Sequence, residues 1–440
     1  MLRCQSNLAS VLRAQLPTQL LAQLLAQLRY QLLAQLLLAL ALSVLLSGCR
    51  LREAGQEDLV IPELVRTHLY VAPSGSDSNP GTRDEPFRTL GRAAQAATPG
   101  TTVHVAPGTY FGGVRTATHG TAEARIVFES TERWGARLVP PLDSRQPAAW
   151  VNRANYLDII GFEIDGTQYQ SGMKWLSGIY NGGSHNGIHH NHVHHIGNDV
   201  PCESKGGAGI GIDSYYKGSN AEVVGNQVHD IGPPDCRSMH GIYISTTANV
   251  RDNIVYRASG SGIHLWHDAT HVTIRGNTVV GSGIGIVVGG GDFYHSKGPN
   301  DQTHTVNNIV YDNGQGIVEQ GETGHNLSYQ NNLVYQNSGG DWKLPAGREH
   351  TGTISAAPMF VDYSRSGAES DFRLQQGSPA IGKGNAAAAG EPRGAGSAGG
   401  AGSAGGAASR TGPRPGRQAD IGAVPYTPPE LAIPPSTAAE

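Results

Sequence analysis

Between about residues 155 and 337 the chain repeats one short pattern of polar and apolar positions, apolar-x-apolar-x-x-Asn-x-Val. Asn191, Asn226, Asn253, Asn277, Asn308 and Asn332 are each followed two residues later by a valine. Successive asparagines lie 35, 27, 24, 31 and 24 residues apart. A floor near 24 with longer excursions predicts one structural turn per repeat, with insertions looping out on particular sides. Asp158 to Ile164 fills the same pattern with Phe162 at the asparagine position. A second signature interleaves with the first: Gly178-Ile179, Gly209-Ile210, Gly241-Ile242, Gly262-Ile263, Gly283-Ile284 and Gly316-Ile317. Side chains alternate along a strand, so these isoleucines are predicted to fill an interior while the residue after each points outward. Turns stacked about 4.8 Å apart place like residues above like, and inward asparagines can hydrogen-bond along such a column. The predicted fold is all-β, a single-stranded parallel β-helix. A propeller needs four strands per repeat of roughly 40–45 residues, and a leucine-rich repeat needs leucine where these turns carry valine and isoleucine.

The ends of such a coil expose strand edges that must be covered. Pro86 to Ala94 has an early proline and apolar residues at helical spacing, which predicts an N-terminal helical cap. Ser378-Pro379-Ala380-Ile381 and Asp420-Ile421-Gly422-Ala423 flank a Gly/Ala/Ser-rich tract at the other end. That composition predicts a flexible insertion at 386–418, leaving a β-helix at 67–385 and a closing segment at 419–440. The 60 glycines, 25 prolines and 15% charged residues suit short strands and tight turns better than a helical bundle. A net charge of -4 offers no basic face to nucleic acid, and an acidic polymer would have to meet local positive charge.

Leu36 to Leu46 is an unbroken run of Leu, Ala, Ser and Val, too short to span a membrane and suited to a signal-peptide core. It ends in Leu46-Ser47-Gly48-Cys49, which resembles a bacterial lipobox. The resemblance implies a lipoprotein signal peptide at 1–49, lipidation of Cys49 and a polar tether at 50–66. The expectation is an exported monomer, lipid-anchored to the cell envelope and, in a Gram-negative cell, to the outer membrane. Cys202 and Cys236 lie 34 positions apart in loops bracketing one predicted turn. A disulfide between them would contribute roughly 3–4 kcal/mol on the loop-entropy account, the alternative being two buried thiols.

Tyr70-Val71-Ala72-Pro73-Ser74-Gly75-Ser76-Asp77, Asn79-Pro80-Gly81-Thr82, Pro99-Gly100-Thr101-Thr102-Val103 and Pro107-Gly108-Thr109-Tyr110 resemble the N-terminal module of pectate-lyase-like proteins, including family-nine pectate lyases. The resemblance implies a right-handed parallel β-helix and a carbohydrate-active protein. Family-nine lyases carry their catalytic lysine in a Gly-Phe-Lys-Leu-Gly-Gly strand. The corresponding Gly285-Ile286-Val287-Val288-Gly289-Gly290 has Val287 in the lysine's place, and the paired aspartates of their calcium cluster have no counterpart.

In the Gly-Ile turns the predicted outward positions are, in order, Tyr180, Gly211, Tyr243, His264, Gly285 and Val318. Two residues on stand Asp213, Ser245, Trp266, Val287 and Gln320. Tyr243 and His264 are thus predicted neighbours, with the glycine column as a groove floor close to backbone. Adjacent loops bring Lys205, Lys217, Arg237, His240, His267, Asp268, Tyr294, His295 and Lys297. Aromatic rings beside basic residues on a sheet face suit sugar stacking and carboxylate recognition. β-Elimination of a uronate polymer needs a base for the proton alpha to the carboxylate and a positive group or metal for the resulting enediolate. His240, His264 and Tyr243 are the predicted acid and base and Arg237 the neutralising group. Asp213, Lys205, Lys217, Trp266, His267 and Lys297 are the predicted substrate contacts, and calcium is a candidate cofactor. The expected activity is a polysaccharide lyase (a carbon-oxygen lyase) acting on an acidic polysaccharide. The rivals are a non-catalytic glycan-binding envelope protein, a glycoside hydrolase, a uronan epimerase and a metal-handling β-helix protein. Inverting hydrolysis needs two carboxyls roughly 6.5–9.5 Å apart, and Asp213 stands alone on the mapped face with Asp268 at its edge. In His189-His190-Asn191-His192-Val193-His194-His195, His192 and His194 point the same way, at a spacing that can hold a transition metal. The position of His194 is filled on later turns by His229, Tyr256, Val280, Tyr311 and Tyr335, so a stacked aromatic column is the alternative and no metal ligand is assigned.

Overall fold

The computed structural model describes residues 66–167, 171–202, 206–366, 370–385 and 419–425. Cys49, Lys205 and the Gly/Ala/Ser-rich tract lie outside the described residues. The chain winds as a right-handed parallel β-helix with three sheets, of ten, nine and nine strands. The first runs from Thr67–Val71 to Ser328–Gln330, the second from Gly108–Phe111 to Leu333–Tyr335, and the third from Val114–Thr116 to Trp342–Lys343. All pairings within these sheets are parallel.

Three inward columns carry the core. Ile179, Ile210, Ile242, Ile263, Ile286 and Ile317 stack in the third sheet, and Val193, Val228, Val255, Val279, Val310 and Val334 in the second, all fully buried. Ile159, Ile188, Val223, Val250 and Ile274 stack in the first. Each buried aliphatic side chain contributes roughly 1.5–3 kcal/mol, offset by the entropy of ordering the turn.

The asparagines form the predicted column at the corner between the first and second sheets. The backbone N–H of Asn191 donates to Asn226 Oδ1 (2.9 Å), Asn226 to Asn253 (2.9 Å), Asn253 to Asn277 (3.0 Å), Asn277 to Asn308 (2.9 Å) and Asn308 to Asn332 (3.0 Å). Phe162 heads the column, its N–H donating to Asn191 Oδ1. The residue before each corner, His190, Gly225, Asp252, Gly276, Asn307 or Asn331, has a φ between 49° and 66°. That left-handed turn favours Gly, Asn and Asp, and the side-chain amide one residue on replaces the strand pairing lost at the bend.

The two sequence signatures fit together at one place. A Cβ on Gly178, Gly209, Gly241, Gly262 or Gly285 would run into Cγ1 of Val193, Val228, Val255, Val279 or Val310 respectively. The Gly-Ile glycines therefore face the interior and let the valine column of the second sheet close against the third. They are not the predicted groove floor. The fit also corrects one turn: the glycine facing Val310 is Gly285, so the fifth unit is Gly285-Ile286-Val287, two residues later than predicted. Both units fit the signature in sequence, and the valine contact and the pairing of Ile286 with Ile263 and Ile317 separate them.

Helix Leu90–Ala96 caps the N-terminal end, its Thr89 accepting the Arg92 N–H and its Leu90, Ala93 and Ala94 buried. At the other end the closing residues lie on the flank of the second sheet. Phe360, Phe372, Leu374, Ala380 and Ile421 pack with Tyr256, Val280, Ile309 and Leu333. Cys202 and Cys236 form the predicted disulfide, with Cα atoms 5.3 Å apart.

Candidate active site

Register places Val151, Tyr180, Gly211, Tyr243, His264, Val287 and Val318 in one outward column of the third sheet. Tyr243 and His264 are neighbours as predicted, rings stacked at 5.5 Å between centroids. Val287 follows His264 and, like Val318, is fully buried.

His240 lies within strand Met239–Ile244, not in a loop. Gly241 and Ile242 both turn inward, so His240 emerges on the same side as Tyr243. Its ring stands 4.2 Å from that of His264 and 5.4 Å from that of Tyr243. The Ser261 N–H donates to His240 Nδ1 at 3.2 Å, which leaves the proton of the neutral ring on Nε2. Ser261 Oγ is 3.1 Å from His264 Nδ1. One residue, Ser261, thereby orients both rings.

Burial sets their charge. Desolvation, with His264 nearby, pushes His240 well below the ordinary histidine range. Desolvation, with His267 beside it, brings His264 down to about 4. Tyr243 is pushed upward by burial and by Tyr294, Asp213 and Asp292. Near neutral pH the site thus holds two uncharged imidazoles, of which His264 can take a proton while His240 Nδ1 is occupied by the Ser261 N–H, and a phenol that keeps its own proton.

Trp266, His267 and Tyr294 wall the site. The Trp266 indole covers Gly289, Gly291 and Gly321, where any Cβ would strike it, and its Nε1–H donates to Asp292 Oδ2 at 3.2 Å. His267 stacks on Tyr294 at 4.0 Å, with the Tyr294 hydroxyl 2.9 Å from His267 Nε2.

The two aspartates do other work. Asp213 Oδ1 accepts from the Tyr215 N–H (2.8 Å) and the Ser245 hydroxyl (3.2 Å), and Ser245, predicted outward, is fully buried. Asp268 accepts from the N–H groups of His295 and Ser296 and from the hydroxyls of Ser296 and Ser214. Partial burial would raise its pKa, but the bonds from Ser296, His295 and Ser214 hold it down to about 2. It pins the 294–296 loop to the turn after strand Gly207–Ile212.

The cations separate to two edges. Lys217 and Lys297 are exposed at the carboxyl ends of the strands, where His295 Nε2 meets the Tyr215 carbonyl at 3.1 Å. Arg237 is exposed at the amino end, three residues before His240. Among the described residues none of the three side chains has a hydrogen bond or ion pair. Sequence reasoning missed Tyr215, Tyr216 and Arg153. The Arg153 guanidinium donates to the Tyr216 hydroxyl at 2.6 Å and lies 4.0 Å above its ring. Tyr216, in turn, meets Tyr215 edge to face at 5.0 Å. The Tyr215-Tyr216-Lys217 run after a glycine-rich strand was the available signal.

Two groups of three convergent metal-donor residues occur among the described residues, Glu163 with His192 and His194, and Asp165 with His194 and His195. Calcium takes six to eight oxygen ligands. Neither nitrogen-bearing group fits it, so no step below runs through calcium.

The family model described as "Pel9A-like, right handed beta helix region" matches residues 69–350. The uncharacterized protein YwoF of Bacillus subtilis (strain 168) is 33% identical over 121 residues, 27% of this chain and 26% of YwoF, so the match spans about a quarter of that relative. Pectate lyase Pel9A superposes with a TM-score of 0.52 at 16% identity, over 82% of this chain and 97% of that one. A solved glycoside hydrolase superposes at 0.48 and 8% identity, over 66% and 95%. The likeness to pectate lyase Pel9A, at 16% identity, speaks for the fold, and one fold hosts several chemistries.

Proposed function

The chain belongs to the Pel9A-like right-handed β-helix family, and from that premise we propose that it is a polysaccharide lyase that cleaves a uronate-containing polymer by β-elimination. The observation that carries this reading is the cluster of His240, His264 and Tyr243, uncharged and touching on one sheet face. His264 takes the C5 proton alpha to the uronate carboxylate. The electron pair forms the C4–C5 double bond and expels the glycosidic oxygen, to which Tyr243 gives its proton. His240 supports His264 as an uncharged neighbour whose Nε2–H is free to donate. Arg237 neutralises the substrate carboxylate, with Lys217 and Lys297, and Lys205 outside the described residues, as further cationic contacts. Trp266, His267, Tyr215, Tyr216 and Tyr294 offer ring faces to successive sugars.

The test is a panel of uronate polymers incubated with the protein, with and without calcium, reading the ultraviolet absorption of unsaturated uronate ends. Cleavage with unsaturated ends is expected. Reducing ends without unsaturation would mean hydrolysis, and solvent deuterium at C5 without cleavage would mean epimerisation. A silent panel with retained polymer binding would favour the second reading, a non-catalytic glycan-binding envelope protein, which the exposed Tyr215–Tyr216–Tyr294 rings also support.

We further propose export and lipidation at Cys49. Cells expressing the full chain and fed a labelled fatty acid should yield labelled protein in the membrane fraction. Cys49→Ser should lose that label, and equal labelling of both would exclude the anchor.

A further inference from the structure

The second sheet carries a cluster that the lyase reading does not use. Its strands pair Glu163 with His192, Asp165 with His194, and His194 with His229. The aromatic column predicted from sequence is present, with His194 stacked on His229 at 5.2 Å and His229 on Tyr256 at 4.5 Å. A column of flat rings does not require the ring nitrogens to converge on carboxylates, and here they do. The donor atoms of Glu163, His192 and His194 all lie within 4.8 Å of one another. His194 Nε2 is 3.1 Å from Glu163 Oε1. Ligands bound tetrahedrally at about 2.0–2.1 Å stand roughly 3.3–3.4 Å apart, so the Glu163 and His194 atoms need to move only a few tenths of an ångström, with His192 closing in from within 4.8 Å.

The surroundings are those of a metal-binding histidine. With Nε2 directed at Glu163, His194 Nδ1 faces His195 Nδ1 at 2.8 Å and the buried Asp165 carboxylate at 3.7 Å. With a cation on Nε2 the ring proton would sit on Nδ1, where the His195 ring and the Asp165 carboxylate can hold it. His229 is fixed in the same sense: its Nδ1 is 2.6 Å from Asp230 Oδ2, which leaves Nε2 bare and 2.7 Å from His192 Nε2. Arg137 is the competing cation, paired with Asp165 and 3.6 Å from Glu163 Oε1. Arg137 sits closer to Asp165 than to Glu163, so a metal at Glu163 would displace only the longer of its two ion pairs.

We propose that Glu163, His192 and His194 bind one first-row divalent cation of zinc's class, bridging successive turns of the second sheet, with His229 as the adjacent donor. Imidazole and carboxylate suit zinc, cobalt, nickel or copper and disfavour calcium. The site stands on a different sheet from the proposed lyase centre, so either proposal can fail alone.

The experiment uses protein purified without a histidine tag and stripped with chelator. Zinc titration should give one ion per chain, Co2+ should give the visible bands of a four-coordinate ion, and a hundredfold excess of Ca2+ should displace neither. His192→Ala and Glu163→Gln should each weaken zinc binding at least tenfold with an unchanged circular dichroism spectrum. His104→Ala, at an exposed histidine pair outside the cluster, should change nothing. No stoichiometric zinc in the folded wild-type protein would overturn the proposal, as would unchanged affinity in folded His192→Ala. Should His192→Ala fail to fold, Glu163→Gln decides on the same criterion.

Discussion

His264→Ala should lower the rate of β-elimination by about 10²–10⁴-fold, the usual contribution of a positioned acid or base. Tyr243→Phe should fall in the same range, because it removes the proton given to the leaving oxygen and keeps the ring. Both side chains point out of the core, so thermal stability should change little. His267→Ala, which removes a wall and not the base, should act mainly on KM. The pH profile is a sharper test. With His264 brought down to about 4, the acid limb of kcat/KM should fall near pH 4 and not near 6.5, where an ordinary histidine titrates. The raised Tyr243 should leave no basic limb below its ordinary range near 10. The stability sign follows from the same shift. Between pH 4 and 6.5 the unfolded chain binds the proton that folded His264 refuses, so stability rises with pH across that window and levels off above it. An acid limb at 6.5, or His264→Ala retaining more than a tenth of the rate, would remove His264 from the base role.

What sequence could reveal here depended on whether one column sufficed to read it. The asparagine corner, the His194–His229–Tyr256 column and the Tyr243–His264 contact each lie in a single repeating position, so counting along the chain found them. Two features needed a second column. Gly283 and Gly285 are indistinguishable until Val310 is seen to press against Gly285. The inward turn of Gly241, which throws His240 onto the outer face, likewise depends on Val255. Loop chemistry was less legible still, because loop lengths differ between turns and carry no period. Asp268, placed by the sequence at the edge of the mapped face, proves to be the anchor of a loop 27 residues later. The Arg153–Tyr216 pair spans 63 residues and two turns.

Asn253→Ala should destabilise the fold by roughly 3–6 kcal/mol, more than any surface change proposed above. Asn253 Oδ1 accepts from both the backbone N–H and the side-chain amide of Asn226, and its own amide donates to the Val223 carbonyl and to Asn277 Oδ1. Removing it takes partners from Asn226, Val223 and Asn277 inside a buried corner. Each buried group left unsatisfied costs about 1–3 kcal/mol. The cost should be shared between neighbours. In Asn226→Ala/Asn253→Ala the Asn226 side-chain donor is no longer left without its acceptor, so the double variant should cost about 1–3 kcal/mol less than the sum of the singles. Chemical-denaturation midpoints measure both quantities, and hydrogen exchange should show the loss of protection centred on the turns at Val223–Asn277. The asparagine corner joins the first and second sheets while the proposed base lies on the third. Folded Asn253→Ala at low temperature should therefore keep the lyase pH profile, which separates failure of the scaffold from failure of the chemistry. A change below 1 kcal/mol, or strict additivity in the double variant, would mean that the amide column decorates the coil without holding it.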